Sequence, residues 1–142
     1  MTYATLDHLK DRYTERLLLD LTDRGDVPTG EIDAGVVERQ LINTDAAIDG
    51  YLAGKYRLPL TEVPPIVRDL AEQIAIYKLH SYDPPAKIKD DYDASMRQLR
   101  EIANGTVRLP IAGVEPRDRN DGGVRTSDRD RPFSNENLHG FI

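Results

Sequence analysis

The sequence predicts an all-α fold: a small helical bundle of three long helices plus a divided N-terminal helix, with an extended C-terminal arm. Apolar residues recur every three or four positions along four separate segments, the spacing that gathers side chains on one helix face. The pairs Pro64-Pro65 and Pro84-Pro85 stand just ahead of two of these segments, where the first helical turn tolerates proline. At Gly113 the composition shifts to Arg, Asp and Gly. These observations divide the chain into a helical domain, 1–112, and a C-terminal arm, 113–142.

Thr5 is a good N-cap for "LDHLKDRY", with Asp7 in the first turn. "TERLLLDL" restarts at Thr14, and Leu6, Leu9, Tyr13, Leu17 and Leu21 form one stripe that fits one helix or two short ones. "TDRGDVPTGEID" holds Gly25, Pro28 and Gly30 and reads as a loop. The second helix starts near Ile32 or Asp33. Val37, Leu41, Ile48 and Leu52 mark its apolar side, with Asn43, Asp45 and Asp49 expected to face away. It ends near Gly54, a candidate for the left-handed conformation that closes a helix. Pro59 bars continuation.

After the extended connector "RLPLTEVPP", Ile66, Leu70, Ile74 and Tyr77 share a face of the third helix. The fourth, "AKIKDDYDASMRQLREIANG", carries Ile88, Tyr92, Leu99 and Ile102 and ends on the Asn104-Gly105 signal. "TVRLPI" is a candidate short strand. Leu41, Ile48, Leu70, Ile74, Tyr92 and Leu99 are the expected core.

Chemistry finds little support. The chain has 142 residues, a formal net charge of −6 and no cysteine, which excludes disulfides and thiolate sites. "GYLAGK" resembles a phosphate-binding loop, but three residues rather than four stand between the glycines and Tyr56 replaces the hydroxyl residue. Counted from Asp23, a calcium loop fails at Gly25, where an oxygen ligand is needed. His8, His80 and His139 lack metal-ligand spacing, and no serine has a nucleophile-elbow context. Arg24-Gly25-Asp26 reads as coincidence. No enzyme, cofactor or metal is expected. Acidic and basic residues are interspersed, without the basic stripe of a duplex-binding module. With no apolar run long enough to span a bilayer and no signal segment, a soluble protein made in the cytoplasm is expected.

Candidate interface features are of four kinds. Asp45 and Asp49 lie one turn apart and share a helix face, either solvated or opposite a partner's Lys or Arg. Tyr51 and Tyr56 are amphipathic rings of a kind enriched at interfaces, although both also fit an intrachain core. Gly50 and Gly54 are expected to admit close approach of a neighbouring element. The arm's polar spacer ends in Phe133, Leu138, Phe141 and Ile142, a pattern suited to a tethered docking segment over 133–142.

Five stretches, taken in order, resemble the small head–tail connector (head-completion or adaptor) family of Mu-like phages: "YATLDHL", "AIDGYLAGKYRLPL", "VPPIVRDLAEQIAIYKL", "YDASMRQLREIANGTVRL" and "RPFSNENLHGF". They span nearly the whole chain. Asn135 departs from the basic residue expected in the last stretch. The resemblance implies a virion structural protein at the head–tail junction, forming a ring of copies below the portal and joining capsid to tail. Implied partners are the portal protein, neighbouring copies and a head-closure or tail-terminator protein. No membrane is involved, and DNA at most passes through the ring lumen. The alternative from the residues is a soluble helical regulatory or nucleic-acid-binding protein.

Overall fold

In a computed structural model of the chain, residues 1–111 are described; the arm's docking segment, with Phe133, Leu138 and Phe141, lies outside the described residues. The described body is all-α: α1 (Leu6–Tyr13), α2 (Glu15–Thr22), α3 (Ala34–Leu52), α4 (Pro65–Leu79) and α5 (Ala86–Asn104). Helices α3, α4 and α5 pack on one another, and the short α1–α2 pair lies against α3 and α4.

Local chemistry sets the boundaries. The Thr5 side chain accepts the His8 N–H while His8 Nδ1 accepts the Thr5 N–H, a reciprocal cap with histidine in the usual glutamate place. Thr14 divides the N-terminal segment into two helices. Its φ of 77° is strained for a β-branched residue, and its hydroxyl caps α2 by accepting the Leu17 N–H. Asp33 caps α3 through the N–H groups of Gly35 and Val36. Pro65 opens α4, and Gly105, at φ 83°, closes α5 in the left-handed conformation.

The loop between α2 and α3 is built on Asp23, whose carboxylate accepts the backbone N–H groups of Thr29 and Gly30 at 3.1 Å. These bonds hold its carboxyl below the ordinary carboxylate range. Buried Thr22 ties the loop's two ends together, donating to the Leu18 carbonyl and accepting the Asp33 N–H. Arg24 donates to the carbonyls of Leu21 and Leu79 at the ends of α2 and α4, a cation where helix dipoles favour one.

Leu41, Ile48, Leu70, Ile74 and Leu99 are buried. Tyr92 is only partly buried, because it stacks on Tyr77 at 3.8 Å beside the core rather than inside it. Gly54 has no left-handed φ; instead the Leu52 carbonyl accepts the N–H groups of Lys55 and Tyr56 and closes α3. "TVRLPI" forms no strand. It folds back as irregular chain, burying Leu109 and Ile111. Gly50 and Gly54 admit no close neighbour within the subunit, since a Cβ at either would meet nothing within 4 Å.

Two glycine substitutions should therefore have opposite signs. Gly50→Ala removes glycine's entropic cost in an open helical position and should raise unfolding stability by about 0.5–1 kcal/mol. Gly105→Ala imposes left-handed strain and brings a Cβ within 2.7 Å of Lys55 Nζ; it should cost about 1–2 kcal/mol. Urea unfolding followed by circular dichroism measures both.

Candidate docking surface

Asp45 does not face away from the core, as the sequence suggested, but is only 9% exposed. Its Oδ1 accepts the backbone N–H of Tyr3 at 3.1 Å. One turn on, Asp49 accepts the Tyr3 hydroxyl. The two carboxylates that looked like a pair for a partner's cation therefore clasp the N-terminal segment of their own chain. Burial is the reason: Tyr3 and Ala4 sink beside α3, and the Tyr3 N–H needs an acceptor there. Burial raises the Asp45 carboxyl above its ordinary range, and the Tyr3 N–H partly offsets this.

Tyr56 is likewise an internal residue, 5% exposed, whose hydroxyl accepts the Leu109 N–H at 2.9 Å. This satisfies a backbone donor where the chain folds back after α5, and it withdraws Tyr56 from any outer surface. Tyr51 is half-buried against the core. The structure thus joins Asp45 and Asp49 through Tyr3, but separates that clasp from Tyr56.

Spacing missed two polar clusters. Arg12 of α1 bridges Asp69 and Glu72 of α4, with Glu72 at 3.0 Å, and its guanidinium lies 5.4 Å from the Tyr13 ring centroid. On α5, buried Ser95 donates to Gln73, which in turn donates to Asp69. Both connect segments distant in sequence, so no local pattern announces them. Among the described residues, no group of three or more His, Asp or Glu side chains is placed to hold a metal ion. None of the described helices is long and apolar enough to cross a membrane.

What the body leaves open is a groove between the α1–α2 pair and the start of α3. Its wider part, about 610 Å³, is lined by Leu6, Leu19 and Ile32, with Lys10, Arg16 and Glu31 at its sides. A narrower part, about 280 Å³, shares Leu6 and Ala34 and continues along Val37, Leu41 and Ile42. Ile42 is 58% exposed. Apolar side chains with charged flanks suit a peptide or protein surface better than a polar substrate.

The family described as "Bacteriophage Mu, Gp36" matches residues 3–127. The chain is also similar to "Gene product J" of Escherichia phage Mu, at 36% identity over 117 residues, covering 82% of this chain and 80% of the relative. It is similar to the Mu-like prophage FluMu protein gp36 of Haemophilus influenzae, at 26% identity over 140 residues, covering 99% and 98% respectively.

The clasp yields two predictions. Asp45→Ala orphans the buried Tyr3 N–H and should cost about 1–3 kcal/mol, whereas Asp45→Asn keeps an acceptor oxygen and should cost less; thermal or urea unfolding ranks them. The second concerns alkali. The Tyr3 phenol is raised above its ordinary value by burial first and then by Asp49, and burial pushes Tyr13 up to about 12. A raised phenol stabilises the fold fully below its unfolded pKa, about 10, and that contribution fades as pH climbs through the folded value. Unfolding stability should therefore fall above pH 10, and less steeply in Tyr3→Phe.

Proposed function

This chain belongs to the Bacteriophage Mu, Gp36 family, and from that premise we propose that it is a virion structural protein. Its role in this reading is that of a head–tail connector adaptor, or head-completion protein, ringed below the portal and joining capsid to tail. The observation that carries it is the body's construction. Polar side chains that chemistry would need, Asp23, Asp45, Asp49 and Arg12, are committed to intrachain bonds, while an apolar groove stands open. Such a molecule is suited to joining surfaces rather than transforming a substrate, so the proposal includes no catalysis.

Ring formation follows from symmetry: identical head-to-tail contacts close when the rotation between copies permits. A formal net charge of −6 suits a lumen that lets DNA pass without holding it, since binding requires cations to neutralise phosphates. It also opposes spontaneous crowding of copies, which favours assembly on the portal as template. The partners in this reading are the portal, neighbouring copies and a head-closure or tail-terminator protein.

Co-sedimentation with purified portal assemblies of the same phage tests the reading. Saturable association at low to moderate salt is expected; its absence across that range overturns the adaptor role.

A further inference from the structure

We propose that the groove between α1–α2 and α3 receives residues 133–142 of a neighbouring copy. The inference deepens the connector reading and rests on it for the presence of adjacent copies. The groove offers an apolar lining, Leu6, Leu19, Ile32 and Ile42, along two adjoining depressions of about 610 and 280 Å³ that share Leu6 and Ala34. The segment "FSNENLHGFI" supplies two phenylalanines, a leucine and an isoleucine at intervals that reach more than one depression. Burial contributes about 1.5–3 kcal/mol for each such side chain, less the cost of ordering the segment.

Charge agrees with this occupant. Lys10, Glu15 and Arg16 flank the groove from the helix pair, with Lys10 3.9 Å from Glu15, and Glu31 and Glu38 flank it from the loop and α3. The segment brings Glu136 between its apolar residues, with Arg131 just before them. Arg16 on one side and Glu38 on the other thus offer opposite charges to an anion and a cation on the ligand, which fixes orientation more than affinity.

Reach permits a neighbour, and the end-to-end offset of exit and receptor suits one. The described chain ends at Ile111, two residues past Leu109, which is bonded to Tyr56 beyond the C-terminus of α3. The groove flanks the first part of the same helix, between Ala34 and Asp45. Exit and receptor are therefore offset along a helix of 19 residues, about 28 Å long at 1.5 Å per residue. The 22 residues 112–133 reach at most about 75 Å when extended, enough to cross to an adjacent body. A donor at one end and a receptor at the other form the heterologous contact that propagates around a ring. Within a ring, tethering supplies a high effective concentration for a weak peptide site.

The absence of cysteine makes disulfide trapping a clean test. Full chains carrying Ile42→Cys are mixed with full chains carrying Leu138→Cys and mildly oxidised; Ile42 is exposed, so its replacement spares the core. Expected is a covalent heterodimer formed several-fold faster than with Arg57→Cys, an exposed position beyond the end of α3, in place of Ile42→Cys. Adding Phe141→Asp to the Leu138→Cys chain should remove that advantage. Equal trapping at both positions, or insensitivity to Phe141→Asp, overturns the proposal. So does exclusively intrachain trapping in the doubly substituted chain, which would assign the groove to the chain's own arm. The mixture is held at protein concentrations high enough for copies to meet without the portal, so failure here leaves the portal-association test standing, and failure there leaves this result intact.

Discussion

The structure depends on the burial of α4. Val67, Leu70, Ala71, Ile74, Ala75, Ile76 and Leu79 are all buried, covering far more of the helix than the stripe of a surface helix. A helix apolar on so many sides must be surrounded, and α1, α3 and α5 do so. Its polar strip, Asp69 and Glu72, is held by Arg12 from α1. With α4 enclosed, α3 and α5 turn their other faces outward. The short α1–α2 pair then covers only part of α3, which is why a groove remains beside it.

Much of this was legible because it is local. Thr5 as a cap, Thr14 as a restart, Asp33 as one of two candidate starts, the proline pairs as helix starts and Gly105 as a stop each act within a few residues of themselves, so the sequence carries their signal. Interactions across long separations were less visible. Tyr3 is 42 residues from Asp45 and 46 from Asp49, and nothing near either end announces the pairing. One clue was available: Asp45 lies four residues after Leu41 and three before Ile48, the spacing that places it on the core side. Charge type and helical phase point opposite ways at Asp45, and phase prevails. Tyr56 was ambiguous for a similar reason, since its role depends on the chain returning past it at Leu109. "TVRLPI" alternates as a strand does, but with no partner strand among the described residues its apolar residues serve the helical core instead.

The same division applies to function. Five ordered stretches pointed to a Mu-like phage family, and the family match over residues 3–127, which spans the first four, agrees. Of the residues singled out for partners, however, Asp45, Asp49 and Tyr56 serve the subunit itself. The surface best suited to a partner was not marked by conspicuous residue types. It is made of ordinary leucines and isoleucines left half-covered because two helices of eight residues each are shorter than the helix they lie against. Such a surface is a property of packing, visible only once the elements are placed. Leu6 and Ile32 pack against the core with one side and leave the other uncovered.

The most direct measurement is a cryo-electron microscopy reconstruction of the neck in mature particles of the phage encoding this chain. Expected is the five-helix body repeated as a closed ring immediately below the portal, with α4 enclosed in every copy. A complete neck reconstruction in which no component fits this body, from particles shown by mass spectrometry to lack the chain, would contradict the connector role.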